Sequence, residues 1–211
     1  MALLTPLLSG FLAAFIGIIP PGLINMTAAK VNLKEGKKNA LWFVAGAILV
    51  IFFQVSLAVL FAQVIDNRPD VVTLLREIGF VIFSILTIYF LFFAKEPKAK
   101  KSKIKKHSKK SRFFLGMLLS GLNFFPIPYY VVVSVTLASY HLFAFENNII
   151  FTFVFGSVLG SFAALYSYIG FFGKIEKKTD YIMRNMNTII GSITGLIAIA
   201  TLFNILSYYF G

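Results

Sequence analysis

Uncharged residues gather into six runs along the chain: Met1–Ala29, Asn39–Ile65, Ile78–Ala94, Phe113–Phe145, Asn147–Gly173 and Asn185–Gly211. They are 29, 27, 17, 33, 27 and 27 residues long. About 20 apolar residues at 1.5 Å rise per residue cross the ~30 Å hydrocarbon layer as a helix. The strands of a membrane β-barrel alternate polar and apolar positions, a pattern these runs lack. The spacing therefore predicts an all-α, polytopic helical membrane protein. Its six transmembrane helices are expected at Thr5–Ala29, Asn39–Ile65, Val71–Ala94, Phe113–Ser139, Phe145–Gly173 and Asn185–Phe210. The third rests on the shortest run, so Arg76 and Lys95 should snorkel to the headgroups at its two ends. The first run follows no basic stretch and exceeds the about 7–15 apolar residues of a cleavable leader, so it is expected to stay as a helix.

Composition narrows the class further. Hydrophobic residues make up 58 % of the chain and charged ones 13 %, against roughly 25 % charged in soluble domains. A soluble globular domain and a disordered chain are both excluded. The net charge of +12 has a local origin, because ten of the twenty basic residues lie in Lys95–Arg112. That clustering removes the case for a nucleic-acid partner. It points instead to a topology anchor on anionic lipid, with roughly 1 kcal/mol per basic residue near the surface. His107, set among lysines, is expected to be solvated. The chain has no cysteine, which excludes disulfides and thiolate metal sites.

The basic residues also orient the helices. The first connection holds Lys30, Lys34, Lys37 and Lys38, and the second Arg68 and Arg76. The third holds the ten already noted, the fourth none, and the fifth Lys174, Lys177, Lys178 and Arg184. Alternate sides thus carry 18 and 2. The positive-inside rule puts the 18 in the cytoplasm and both termini outside, in a multi-pass protein of the cytoplasmic membrane.

Two helices carry breaks. The first contains Gly17, Pro20, Pro21, Gly22 and Asn25, and the fourth contains Gly121, Asn123, Pro126 and Pro128. Proline removes a backbone donor and clashes with the preceding turn. In hydrocarbon, opened backbone survives only where protein or a watery cavity satisfies it. Both breaks are therefore expected to face inward. Superposing Pro20 on Pro126 gives an offset of 106 residues and brings Gly10 onto Gly116. Each half then has three helices, an odd number that inverts the second copy. The chain reads as one transmembrane domain, 1–211, with inverted repeat halves 1–94 and 113–211 joined by a basic cytoplasmic linker, 95–112. Paired Gly/Pro-interrupted helices are the sequence sign of a transporter's central site.

Pro21 and Gly22 in the first helix, Gly36 and Gly46 after it, and Gly116, Asn123 and Pro126 in the fourth resemble the lysine exporter (LysE/RhtB-type) family of amino-acid efflux transporters. The resemblance covers the whole chain in length and helix count. Leu23 stands where that family usually closes a Pro-Gly-Pro, no acidic residue follows Gly46, and no lysine follows Pro126. The resemblance implies export as the direction of transport and a proton gradient as its source of energy.

The intramembrane chemistry is neutral. Glu35, Asp66, Asp70, Glu77, Glu96, Glu146, Glu176 and Asp180 all fall in connections or at helix ends. That argues against a divalent-cation carrier, which needs charged oxygen ligands, and against a mid-membrane carboxylate relay. Asn25, Gln54 and Asn123 are the costliest neutral groups to bury unpaired. With Pro20, Pro21, Gly22, Pro126 and Pro128 they form the expected substrate-binding set, and each amide alone would equally serve as a structural bond between helices. Half-helix N-termini suit a carboxylate. Unwound carbonyls suit an ammonium or a coupling cation, H⁺ or Na⁺. The expected function is secondary export of a small zwitterionic metabolite, an amino acid first among them. Neither an enzyme nor a cofactor is expected: the two histidines form no metal or catalytic cluster. The alternative is an ion or small-solute channel, or a membrane scaffold without transport; no charged or carbonyl-lined filter is apparent. Gly156, Gly160 and Ala164, and likewise Gly191 and Gly195, form small-residue stripes for close helix contact, within the bundle or between copies of a homo-oligomer. Trp42, Tyr129, Tyr130, Tyr140, Tyr208 and Tyr209 read as interfacial anchors.

Overall fold

A computed structural model of the chain describes residues 3–20, 22–66, 69–94 and 108–210. Pro21, most of the basic linker with His107, and Arg68 lie outside them. The described residues are helical, without strands. In chain order they form α1 (Leu4–Ile18), α2 (Leu23–Glu35), α3 (Lys37–Asp66), α4 (Pro69–Ile88, followed by a π turn at Tyr89–Phe93), α5 (Lys109–Gly121), α6 (Pro126–Ser139), α7 (Asn147–Arg184) and α8 (Met186–Phe210).

Both expected breaks are present. The axes of α1 and α2 meet at 74°, and those of α5 and α6 at 61°. The straight stretches Lys37–Ile65 and Asn147–Gly170 are each long and apolar enough to cross a membrane, and each bent pair supplies one more candidate span. The remaining apolar stretches, Glu77–Phe93 and Thr194–Ser207, are shorter.

Helix ends depart from the hydropathy boundaries where local chemistry takes over. The helix expected to stop at Ala29 continues to Glu35, because nothing before Gly36 breaks it. Gly36 ends it at φ 90°, a left-handed conformation that glycine adopts without a Cβ penalty. At the far end of α6, His141 adopts φ 58° and its amide donates to the Ala138 carbonyl at 2.9 Å. Helix α5 starts inside the basic stretch, where Ser108 caps it by accepting from the Ser111 amide at 3.2 Å.

The chain divides into two compact units. The first comprises Met1–Val64 and Ser102–Glu176. Glycines set its packing. A Cβ on Gly46 of α3 would stand 2.0 Å from the Phe113 carbonyl oxygen of α5, and one on Gly116 of α5 would stand 2.0 Å from that of Phe43. Between α7 and α1 the same contact recurs. A Cβ on Gly156 would stand 2.2 Å from the Leu7 carbonyl oxygen, and one on Gly10 would stand 2.3 Å from that of Phe153. Gly160 meets the Phe11 carbonyl in the same way. Backbones approach this closely only where no side chain intervenes. Two apolar clusters fill the unit. One is built on Ala14, Ile51, Val55, Tyr130, Phe143 and Phe153, the other on Ala28, Val31, Phe43, Val44, Leu165 and Ile169. Tyr130, expected at the membrane interface, is instead a core residue at 4 % exposure.

The second unit comprises Ile65–Lys101 and Lys177–Gly211. In it α4 and α8 run antiparallel. Asn187 donates to the Ala94 carbonyl at 2.9 Å, Thr87 to Thr194 Oγ1 at 3.0 Å, and Tyr209 to Glu77 at 2.7 Å. The Gly191 and Gly195 stripe faces Leu91 and Thr87.

Candidate transport site

At the first break the chain turns out of α1 at Ile19 and Pro20 and re-enters a helix at Leu23. One side chain gathers the backbone groups on either side of this turn. Asn25 is buried and saturated. Its Nδ2 donates to the Ile18 carbonyl at 2.8 Å and to the Pro20 carbonyl at 2.9 Å. Its Oδ1 accepts from the Gly22 amide and, at 2.8 Å, from the Met26 amide. An amide side chain has two donors and two acceptor lone pairs, so Asn25 has none left over. The Ile19 carbonyl accepts from the Tyr168 hydroxyl of α7.

At the second break the supporting amide comes from another helix. Gln54 of α3 is buried, and its Nε2 donates to the Ser120 carbonyl at 3.1 Å and to the Asn123 carbonyl at 2.8 Å. Gln54 Oε1 is buried with no hydrogen-bond partner among the described residues. Asn123 contributes backbone: its own amide donates to the Ser120 carbonyl at 3.1 Å. Pro126 and Pro128 occupy the first turn of α6, where proline costs no helical bond.

The two breaks touch. The Tyr129 ring of α6 lies over Gly17 of α1, where a Cβ would approach it to 3.2 Å. Its hydroxyl donates to the Ala13 carbonyl at 2.8 Å. Of the expected set, Asn25, Pro20 and Gly22 thus belong to the first break, and Gln54, Asn123, Pro126 and Pro128 to the second. Pro21 falls outside the described residues.

One expectation about donors fails at α6. A half-helix N-terminus was expected to present unpaired amides to a carboxylate. Pro126 and Pro128 have no N–H, and the amides of Ile127 and Tyr129 are taken by the Phe124 and Phe125 carbonyls at 3.2 and 3.3 Å. In α2, by contrast, helix geometry leaves Leu23, Ile24 and Asn25 without intrahelical acceptors for their amides.

The hydropathy pattern hid the two tyrosines that join the breaks to other helices. Tyr129 resembled an anchor, and Tyr168 lay in a long apolar run. A signal for Tyr168 was present nonetheless: it continues the four-residue stripe of Gly156, Gly160 and Ala164 that faces α1.

Where α2 passes into α3, charge is neutralised internally. Arg112 of α5 grips the Glu35 carboxylate with two nitrogens, Nε at 2.8 Å from Oε2 and Nη2 on Oε1. Asn39 donates to Oε2 at 3.3 Å. The side chains are only 8 % and 1 % exposed for Arg112 and Glu35. Arg112, expected among the solvated lipid-facing cations, is a buried ion-pair partner instead. Nearby, Lys37 donates to the Tyr166 hydroxyl at 2.6 Å, and Asn32 to the Ile169 carbonyl at 2.9 Å.

No curated protein and no solved structure matches the chain. The family profile described as LysE type translocator matches residues 15–204, which include both breaks, Gln54 and the Glu35–Arg112 pair. On that match the chain belongs to the LysE type translocator family, a family of multi-pass membrane transporters of small solutes and not of enzymes.

Proposed function

We propose that the protein is a secondary transporter exporting a small zwitterionic metabolite, an amino acid, across the cytoplasmic membrane. The observation that carries this reading is the chemistry of the two breaks. Both are held by neutral side chains, Asn25, Gln54, Tyr129 and Tyr168, with no ionised group among them. A solute whose own charges cancel can enter such a site without a buried counter-ion, whereas a dication or an isolated anion would carry a large desolvation penalty. The free Oε1 of Gln54 supplies an acceptor for an ammonium. Gln54 and Asn123, with Pro20, Pro21, Gly22, Pro126 and Pro128 and with Asn25 as the brace of the first break, are the binding set in this reading, and a proton or Na⁺ is the coupling ion.

The glycine contacts support an inverted repeat of three helices per half. An offset of 106 carries Leu7 and Gly10 onto Phe113 and Gly116, and one of 110 carries Phe43 and Gly46 onto Phe153 and Gly156. Under those offsets the α3–α5 contacts become the α7–α1 contacts. Six spans, with both termini outside and the linker 95–112 on anionic lipid at the cytoplasmic face, complete the reading within one transmembrane domain. The test is flux into inverted vesicles or proteoliposomes across a panel of amino acids, with and without pH and Na⁺ gradients. Saturable, gradient-dependent flux of neutral amino acids is expected. Flux of divalent metal instead, or voltage-driven flux without saturation, overturns it.

A further inference from the structure

The core around α6 and α7 holds hydroxyls that the fold leaves unmet. Tyr130 is 4 % exposed, and Ser134, Ser157 and Ser161 are wholly buried. Among the described residues, the Oγ atoms of all three serines lack a hydrogen-bond partner. A helical serine or threonine ordinarily donates to the carbonyl one turn back. Thr152 and Ser167 do so on α7 itself, at 2.7 and 2.8 Å to the Asn148 and Ala163 carbonyls. Ser157 and Ser161, between them on the same helix, do not.

These serines turn toward one place. They stand one turn apart on α7, and the Tyr130 phenol lies beside both. On the α1 side Gly10 packs over Ser157, and a Cβ there would lie 3.0 Å from the Oγ. The serine donors make no bond within the described residues, so they are free for an acceptor from outside the chain. Buried polar groups left in this condition mark the place of a ligand or water absent from the contacts within the chain.

We propose that Tyr130, Ser157 and Ser161 form a subsite for the carboxylate of the transported solute. This deepens the reading of the protein as a carrier of small zwitterions and rests on it. Neutral O–H donors make short, charge-assisted bonds to a carboxylate, which offers about four lone-pair sites. An apolar group would leave the hydroxyls unmet. A divalent cation would lack charged ligands. The first turn of α6, stripped of free amides by its prolines, cannot supply these donors, and the hydroxyls take that role. The solute's own ammonium balances the charge.

Thermal unfolding of the purified full-length chain in detergent tests the subsite without requiring transport. Glycine, L-alanine and L-leucine are compared with their methyl esters, which keep the ammonium and lose the carboxylate. At least one amino acid at saturation should raise the wild-type midpoint by roughly 3 °C, and its ester should not. Tyr130→Phe and the double variant Ser157→Ala/Ser161→Ala should lose this response. The unliganded midpoint of the double serine variant should equal or exceed that of the wild type, because it deletes unmet buried groups. A wild type indifferent to all three amino acids, an equal response to ester and acid, or variants that respond normally would overturn the subsite. So would a double serine variant that melts earlier without ligand, since the two hydroxyls would then be structural partners. Amino-acid flux with an unchanged KM in Tyr130→Phe defeats the subsite alone. Carboxylate-dependent stabilisation without flux in proteoliposomes defeats the transport reading alone.

Discussion

The hydroxyl of Tyr129, the fourth residue of α6, donates to the carbonyl of Ala13 in α1 at 2.8 Å. It crosses from one broken helix to the other, over a glycine that leaves room for its ring. The two breaks are thereby held in register by a contact made of one phenol and one missing side chain.

Tyr129→Phe keeps the ring and deletes the bond. The loss is expected to be about 1 kcal/mol, which for a chain of this size lowers the unfolding midpoint by roughly 2–4 °C. Gly17→Ala should do more damage to transport than to stability, because the ring must shift by a few tenths of an ångström at the breaks. Thermal unfolding and flux measured on both variants separate the two effects.

Gly46→Ala and Gly156→Ala put a methyl against a carbonyl oxygen that cannot retreat without moving a helix. Both should accumulate poorly in the membrane and melt early, with losses at or above the ~1–3 kcal/mol of ordinary overpacking. Gly79→Ala and Gly170→Ala face open space and should be neutral or stabilising by about 0.5–1 kcal/mol through helix propensity. Equal damage in all four variants would remove the case for close backbone contact.

Arg112→Leu or Glu35→Leu alone strands a buried charge and should destabilise by about 3–5 kcal/mol. The double variant Glu35→Leu/Arg112→Leu should recover most of that loss, because no charge is left unpaired. Additive losses in a double-mutant cycle would show that the two residues act separately.

The orientation is checked by fusion. Alkaline phosphatase joined after Gly211 should be active in a bacterial host, and joined after Lys105 inactive. The opposite pattern would exchange the two sides of the membrane in the proposed transport cycle.

Pro126→Ala/Pro128→Ala restores two amide donors beside the second break. The protein should still insert, the 61° bend should relax, and solute flux should fall to background. Flux at the wild-type level would reduce both prolines to packing features.

Hydropathy and proline placement made the helices and the breaks legible. A 27-residue uncharged run has few alternatives, and a proline's missing donor is a property of the residue itself. The partners were not legible. Nothing in the sequence says that Gln54 reaches across to Ser120 and Asn123 while Asn25 folds back on its own break. Those choices depend on which helices lie side by side. Arg112 was hidden for a related reason: among nine other cations of one stretch, only the approach of Glu35 distinguishes it. Tyr130 carried the same ambiguity, since a tyrosine serves equally at an interface and in a core until its neighbours are known.

The crosswise glycine contacts constrain how the molecule can be taken apart. The carbonyl of Leu7 seats on Gly156 and that of Phe113 on Gly46, so each half lends its first helix to the other. A fragment ending at Ala94 would offer Gly46 an empty berth and leave α1 undocked. The fragment beginning at Phe113 would be stranded in the mirror-image way. Split at the linker and made as two chains, the halves should persist only together, each acting as the other's missing scaffold.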